Sequence, residues 1–432
     1  MATPRLDLIP ADEARRILLQ TPPVGTEVVP LRVAGGRVLA APFAATEDLP
    51  GHPRSVMDGY AVRAADVAAA SASAPTILEV IGIVPMGGTF GGPVGPGQAV
   101  GISTGGFLPA GADAVVMIEH TRPAGEAGVR GAATAPATGA TRAPGSETAI
   151  AIDRGVGAGA NVIQRAEDVA AGAALLPRGR RLRPQDIAAL ATFGVASVTV
   201  HRRPRIAVFS TGNELCEVGE TPSPGQVRDV NEWVLGTEVE LAGALATFGG
   251  IIRDDEAALA DTIARFLPDH DGLILSGGSS VGVKDVSGVV LGRLGPPGVL
   301  FHGIDIRPGK PTIFARVGDK PVVGMPGFPT SSMVVFDAFV RPMLWRMGGE
   351  LDRDPWPTQR RARMARAVPS TVGREDYVRV RLFDRDGETW AEPLSGGSSA
   401  ISNLVFADGL VRIEAARDRI AEGDPIDVAG FV

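Results

Sequence analysis

The chain has 432 residues, 44% hydrophobic and 21% charged, enough for about three domains with ordinary buried cores. Its formal net charge of −7 argues against a nucleic-acid partner, which needs a basic face, and no apolar run approaches the ~20 residues that span a bilayer. The lone Cys216 excludes an internal disulfide and a multi-cysteine zinc site, and the N-terminal segment lacks the apolar core of a signal peptide. A reducing, cytoplasmic location is therefore expected, with no membrane contact.

In chain order, residues 10–20 carry an acidic start and a helical apolar spacing, ended by Pro22-Pro23. Residues 27–40 alternate as short strands or turns. From about 46 to 154, apolar runs such as Ile77–Ile81 and Ala114–Ile118 are separated by Gly and Pro, the texture of a small β-rich domain. Within it, residues 124–146 lack both periods and large side chains, which reads as a mobile surface insertion. Residues 155–200 return to a helical texture, with Pro184 at a first turn and Gly194 as a stop. The arginines Arg178, Arg180, Arg181, Arg183, Arg202, Arg203 and Arg205 flank that helix and read as solvated surface.

From residue 205 strands and helices alternate. Arg205–Ser210, Gly250–Arg253 and Gly272–Ser276 are expected strands, and Asn231–Phe248, Glu256–Phe266 and Asp285–Leu294 expected helices. Further strands fall near 299–306, 312–317 and 321–324, before a helix over Ser331–Met347. Repeats of this kind imply a mostly parallel, twisted sheet with helices on both faces. Residues 358–432 return to strands, with Asp384-Arg-Asp-Gly387 as a hairpin signal.

Four turns follow apolar runs in this region. They are Ser210-Thr-Gly-Asn-Glu214, Ser276-Gly-Gly-Ser-Ser-Val-Gly282, Arg307-Pro-Gly-Lys-Pro311 and Met325-Pro-Gly-Phe-Pro-Thr-Ser331. Open α/β sheets bind ligands at the carboxyl ends of their strands, so four such turns point to an anionic, phosphate-bearing ligand. Each feature has a plainer reading. Asp285 would either cap a helix or hold Mg²⁺ or substrate. Lys310 would face solvent or hold an oxyanion, and Ser331 would cap its helix or bind an anion. Ser55-Val-Met-Asp-Gly-Tyr60 can be a tight turn and no more. No hydrolase elbow, zinc-protease motif or Walker loop is present, and His52 reads as a bystander.

Together, these segments resemble the molybdopterin molybdenumtransferases, the MoeA and gephyrin E-domain family. The carriers are Ser55–Arg63, Thr104–Val116 with Glu119, Arg165–Asp168, Ser210–Leu215, Arg228–Asn231, Leu275–Gly282 with Asp285, and the Lys310 and Pro326 turns. The resemblance implies a multidomain α/β fold with four parts. These are an elongated helical and strand domain (1–45 and 155–200), a β-rich insertion domain (46–154), a molybdopterin-binding doubly wound α/β domain (201–347) and a C-terminal β-barrel-like domain (348–432). It implies a homodimer whose site pairs the α/β domain of one subunit with the Met-Asp-Gly-Tyr turn of the other.

The implied reaction inserts molybdate into adenylylated molybdopterin and releases AMP, with Mg²⁺ or another divalent ion. By the same resemblance Asp58, Thr104, Glu214 and Asp285 are catalytic positions, with Asp58, Glu214 and Asp285 as metal ligands. Asn231, Gly277 and Gly278 contact the pterin nucleotide; Ser280, Lys310, Pro311 and Ser331 contact molybdate or phosphate. A molybdopterin adenylyltransferase and downstream cofactor-processing proteins or molybdoenzymes are the partners such a step implies. Three positions depart from the family: Phe328 for Asn, Asn213 for Asp and Arg307 for Lys. Two other functions fit the same residues, an adenylyltransferase and a non-catalytic molybdopterin-binding or scaffold protein.

Overall fold

The computed structural model describes residues 7–124, 147–277, 286–397 and 399–430. Almost all of the expected 124–146 insertion lies outside them, as do Gly278, Ser280 and Asp285. The chain divides into two compact units, residues 42–176 and residues 1–41 with 177–432.

The 42–176 unit is built on one six-stranded sheet, ordered Ala114–Met117, Gly59–Val62, Gln98–Ile102, Thr76–Ile83, Ala149–Ile152 and Thr121–Pro123. Alternation sends Tyr60 and Val62 into one apolar cluster and Ala61 into another, so both faces of Gly59–Val62 are covered. Residues 155–176, expected as helical, instead form turns and the short strands Val162–Ile163 and Ala174–Leu176. Left-handed φ values at Asn161 and Ala166 show the reason, because a helix cannot pass through them.

In the larger unit, four parallel strands run in the order Leu245–Ile252, Arg205–Thr211, Gly272–Ser276 and Lys320–Met325. The antiparallel neighbours Ile313–Val317 and Pro297–His302 complete the sheet. Two clusters cover its faces. One contains Val208, Ile274, Val323, Phe336 and the N-terminal helix Ala11–Leu18; the other contains Phe209, Leu275, Leu259 and Val290.

Three boundaries differ from expectation. The helix that starts at Asn231 ends at Leu241, not Phe248; Gly243 turns the chain at φ +90°, and Leu245–Ile252 becomes the edge strand. Residues 245–248 pair with Arg205–Val208, so tertiary pairing overrides a helical spacing. The expected 299–306 strand splits, and its last part, Ile306–Arg307, leaves the sheet. The final helix starts at Pro329 and passes through a π segment, Phe336–Val340, before Arg341–Met347.

The buried Arg341 guanidinium joins that helix to Asn231–Leu241 by pairing with both Glu238 and Asp337. Burial, together with the Asp337 charge, pushes the Glu238 carboxyl up to about 7 in spite of Arg341. Of the seven arginines read as solvated surface, Arg178 and Arg205 are exposed and the other five are engaged. Arg180 and Arg183 hold Asp186, Arg181 holds Glu350, Arg202 holds Asp271, and Arg203 donates to the carbonyls of Gly243 and Ala244.

Beyond residue 359 the strands Glu375–Arg385, Glu388–Pro393, Arg360–Met364, Pro425–Gly430 and Gly409–Ile413 pair in turn. The last returns to the first, so they close as a five-stranded barrel around Met364, Val380, Val411 and Val428. The expected hairpin is present, turning at Asp386 and Gly387, both with positive φ. Ile306–Arg307 joins this barrel, running parallel to Glu375–Asp376. Helix Ala11–Leu18 contributes Arg15, which donates to the Tyr377 hydroxyl at 2.9 Å and pairs with Glu375.

Candidate functional site

Three strand-end turns are tied together by hydrogen bonds from side chains that the sequence places just past the strands. The Asp229 Oδ1 accepts the Ser210 hydroxyl at 2.7 Å and the N–H of Asn231 at 3.0 Å. One carboxylate thus fixes the end of Arg205–Thr211 to the first turn of Asn231–Leu241. The Asn231 amide then donates to Ser276 Oγ at 2.6 Å and to the Gly327 carbonyl at 2.7 Å, which reaches the next two strand ends. Gly277 crosses so close to its neighbour that a Cβ would lie 2.3 Å from the Thr211 carbonyl oxygen, and its φ is +93°. Only glycine fits there.

Two of these turns, at Glu214 and Pro326–Ser331, together with residues 227–231 and the Arg307–Pro311 turn, wall a cavity of about 1000 Å³. Glu214, Asn231, Lys310, Pro311 and Ser331 line it, so five of the expected site residues meet in one place. Gly277 supports the wall through its N–H, which donates to the Met325 carbonyl at 3.1 Å. Lys310 is exposed, and among the described residues its ammonium makes no hydrogen bond or ion pair. Residues outside the expected set also contribute charge. Arg228, Arg307 and Arg374 line the cavity with Lys310, against Glu214, Asp229 and Asp305.

Two acceptors are left over. Asp229 Oδ2 and Asn231 Oδ1 are buried and have no hydrogen-bond partner among the described residues. Unpaired buried acceptors are costly, so they suit a ligand that brings N–H or O–H donors. Asn231 is thus both a structural tie through its NH₂ group and a candidate ligand contact through its oxygen.

Asp58 and Thr104 lie in the 42–176 unit and meet each other. The N–H of Thr104 donates to Asp58 Oδ1 at 2.7 Å and its hydroxyl does so at 3.1 Å. The turn that carries Asp58 is exposed, while Gly59 and Tyr60 behind it are buried. A Cβ on Gly59 would fall 1.9 Å from the Val116 carbonyl oxygen, so the Asp-Gly pair is fixed by the adjoining strand.

Of the three expected metal ligands, Asp58 and Glu214 belong to different units and Asp285 is outside the described residues. Among the described residues no group of three His, Cys, Asp or Glu side chains could hold a metal ion. The described side chains alone do not fit a resident divalent ion.

The family departures have distinct settings. Phe328 is 56% exposed on the cavity wall, at the cap of the Pro329–Val335 helix. Asn213 and Asp254 bond reciprocally, each backbone N–H donating to the other's side chain, at 3.4 and 3.2 Å. Arg307 pairs with Asp376 at 2.6 Å. The sequence reading passes over Arg374 and Asp376. The only available signal was Gly373-Arg374-Glu375-Asp376-Tyr377, a charged start to an otherwise alternating strand.

Fold and cavity together define a multidomain α/β protein with a charged ligand site at its strand ends. Comparison with known proteins narrows this. Residues 9–194 match the family model "MoeA N-terminal region (domain I and II)", 207–346 match "Probable molybdopterin binding domain", and 361–431 match "MoeA C-terminal region (domain IV)". A molybdopterin molybdenumtransferase of Nostoc sp. is 35% identical over 88% of this chain and 82% of its own length. One of Bacillus subtilis is 32% identical over 97% and 93%. The crystal structure of a molybdopterin biosynthesis MoeA protein from Pyrococcus horikosii superposes with a TM-score of 0.80 at 32% identity, covering 99% of this chain and all of that one. The chain belongs to the MoeA family.

Proposed function

We propose that the protein is a molybdopterin molybdenumtransferase, which inserts molybdate into adenylylated molybdopterin and releases AMP during molybdenum cofactor biosynthesis. The observation that carries this reading is the strand-end cavity, where Lys310, Arg307 and Arg374 stand beside Ser331 and the unpaired acceptors of Asp229 and Asn231. Its volume of about 1000 Å³ suits a pterin joined to a nucleotide. The cations attract both the molybdate dianion and the phosphoanhydride, and the acceptors match the N–H edge of a pterin. Holding the two reactants together is itself a large part of such catalysis. Relatives named for this activity align over nearly the whole chain, barrel and insertion included, which favours it over adenylyl transfer by residues 207–346 alone.

The same proposal includes a cytoplasmic homodimer in which the Asp58–Thr104 turn of one subunit serves the cavity of the other, and a requirement for Mg²⁺ or a similar ion. Purified protein given adenylylated molybdopterin should release AMP only when molybdate is added, and chelation should stop it. Tight binding of the pterin without AMP release would establish a binding or scaffold role instead. Consumption of ATP with formation of adenylylated pterin would establish the adenylyltransferase.

A further inference from the structure

Two of the cavity's cations share one buried counter-ion. Arg307 comes from the turn after Pro297–His302 and Arg374 from the start of the barrel, yet both end on the carboxylate of Asp376, whose side chain is 1% exposed. Arg374 grips it with two nitrogens, Nε at 2.8 Å and Nη2 at 3.2 Å. Arg307 Nη2 approaches Asp376 Oδ2 at 2.6 Å. The backbone sets this up, because Arg307 and Asp376 are register partners in the parallel pairing of Ile306–Arg307 with Glu375–Asp376. Both arginines line the main cavity; Asp376 does not, and lines instead a neighbouring cavity of about 460 Å³ that shares Arg307 and Pro308.

We propose that Asp376 is a positioning residue for the oxyanion: it holds Arg307 and Arg374 at the cavity wall so that their remaining N–H groups bind molybdate or the ligand phosphates. The idea rests on the molybdenumtransferase reading and adds to it a carboxylate that touches no ligand. Two guanidiniums side by side repel each other and would swing into solvent. A shared carboxylate offsets that repulsion, and the trio keeps a net positive charge. The planar fork of Arg374 also fixes its orientation, which a lysine cannot do.

The sign of one measurement separates positioning from simple charge. Removing a negative charge beside an anion site should strengthen anion binding if only the local potential matters. Positioning predicts the reverse. In the full-length protein, Asp376→Asn should raise the KM for molybdate, and the Kd for molybdate measured without turnover, by at least tenfold. The kcat at saturating molybdate should change far less, and Asp376→Glu should recover much of the loss. Unchanged or tighter molybdate binding by Asp376→Asn would overturn the proposal. If that variant does not fold, Arg374→Lys keeps the charge without the fork. It should show the same rise in KM, and wild-type affinity in it would equally overturn the idea. Wild-type protein that binds no molybdate under any condition would sink the functional reading itself, whereas equal binding by wild type and Asp376→Asn sinks this inference alone.

Discussion

The two units present their candidate chemistry in opposite ways. In the larger unit, side chains from three of the strand-end turns, from residues 227–231 and from the barrel converge on one cavity, and no single turn carries the site. In the 42–176 unit a single exposed turn holds Asp58, and Thr104 is the side chain that meets it. A pooled site depends on the ties between loops. A single-turn site depends on the rigidity of the strand beneath it, and here that strand admits only glycine at position 59.

The largest test of this contrast is Gly59→Ala. Its Cβ would sit 1.9 Å from the Val116 carbonyl oxygen, so backbone has to move. A loss of about 3 kcal/mol, the upper end for overpacking, is expected in denaturant unfolding. A loss below about 0.5 kcal/mol would show that the turn is not clamped. Next comes Lys310→Ala. Its unpaired, exposed ammonium makes stability insensitive to the change, within about 0.5 kcal/mol. Loss of a charged contact of ~1.5–3 kcal/mol predicts a ten- to hundredfold rise in the KM for molybdate. Mixing Lys310→Ala chains with Asp58→Ala chains should restore part of the AMP release if the two regions serve one site across a dimer; no recovery in mixed dimers would separate them.

The smallest effect is a pH dependence confined to the larger unit. Glu238 has its folded pKa raised from 4.5 to about 7, chiefly by burial. A raised carboxyl holds its proton better in the folded chain than in the unfolded one. Its contribution to stability is therefore complete below about pH 4.5 and is lost as pH rises through about 7. Thermal midpoints should fall between pH 5 and 8, and Glu238→Gln should flatten that slope. An unchanged slope in the variant would assign the dependence to other groups.

Much of the α/β architecture was legible because it is written locally. Apolar runs end at glycine- and hydroxyl-rich turns, and four of the five expected cavity residues stand at those turns, with Asn231 at the first position of a helix. Residues 245–248 were misjudged as helix because their helical spacing is local, whereas their pairing with Arg205–Val208 joins segments about forty positions apart; the strand expected from Gly250 was legible. The Asp58 turn has no distinctive local chemistry, so only the family resemblance drew it out. Arg374 and Asp376 escaped notice for a related reason. Their role comes from barrel closure and from a two-residue parallel pairing with Ile306–Arg307, neither of which leaves a periodic trace in the sequence.

The amide of Asn231 has a practical consequence for mutagenesis. Because its NH₂ group braces Ser276 and Gly327, truncating it would slacken three loops at once. A weakened affinity in such a variant would therefore reflect a misshapen pocket as much as a missing contact. Substitutions chosen to spare the bracing while altering only the carbonyl side of Asn231 are the ones that would report on recognition itself.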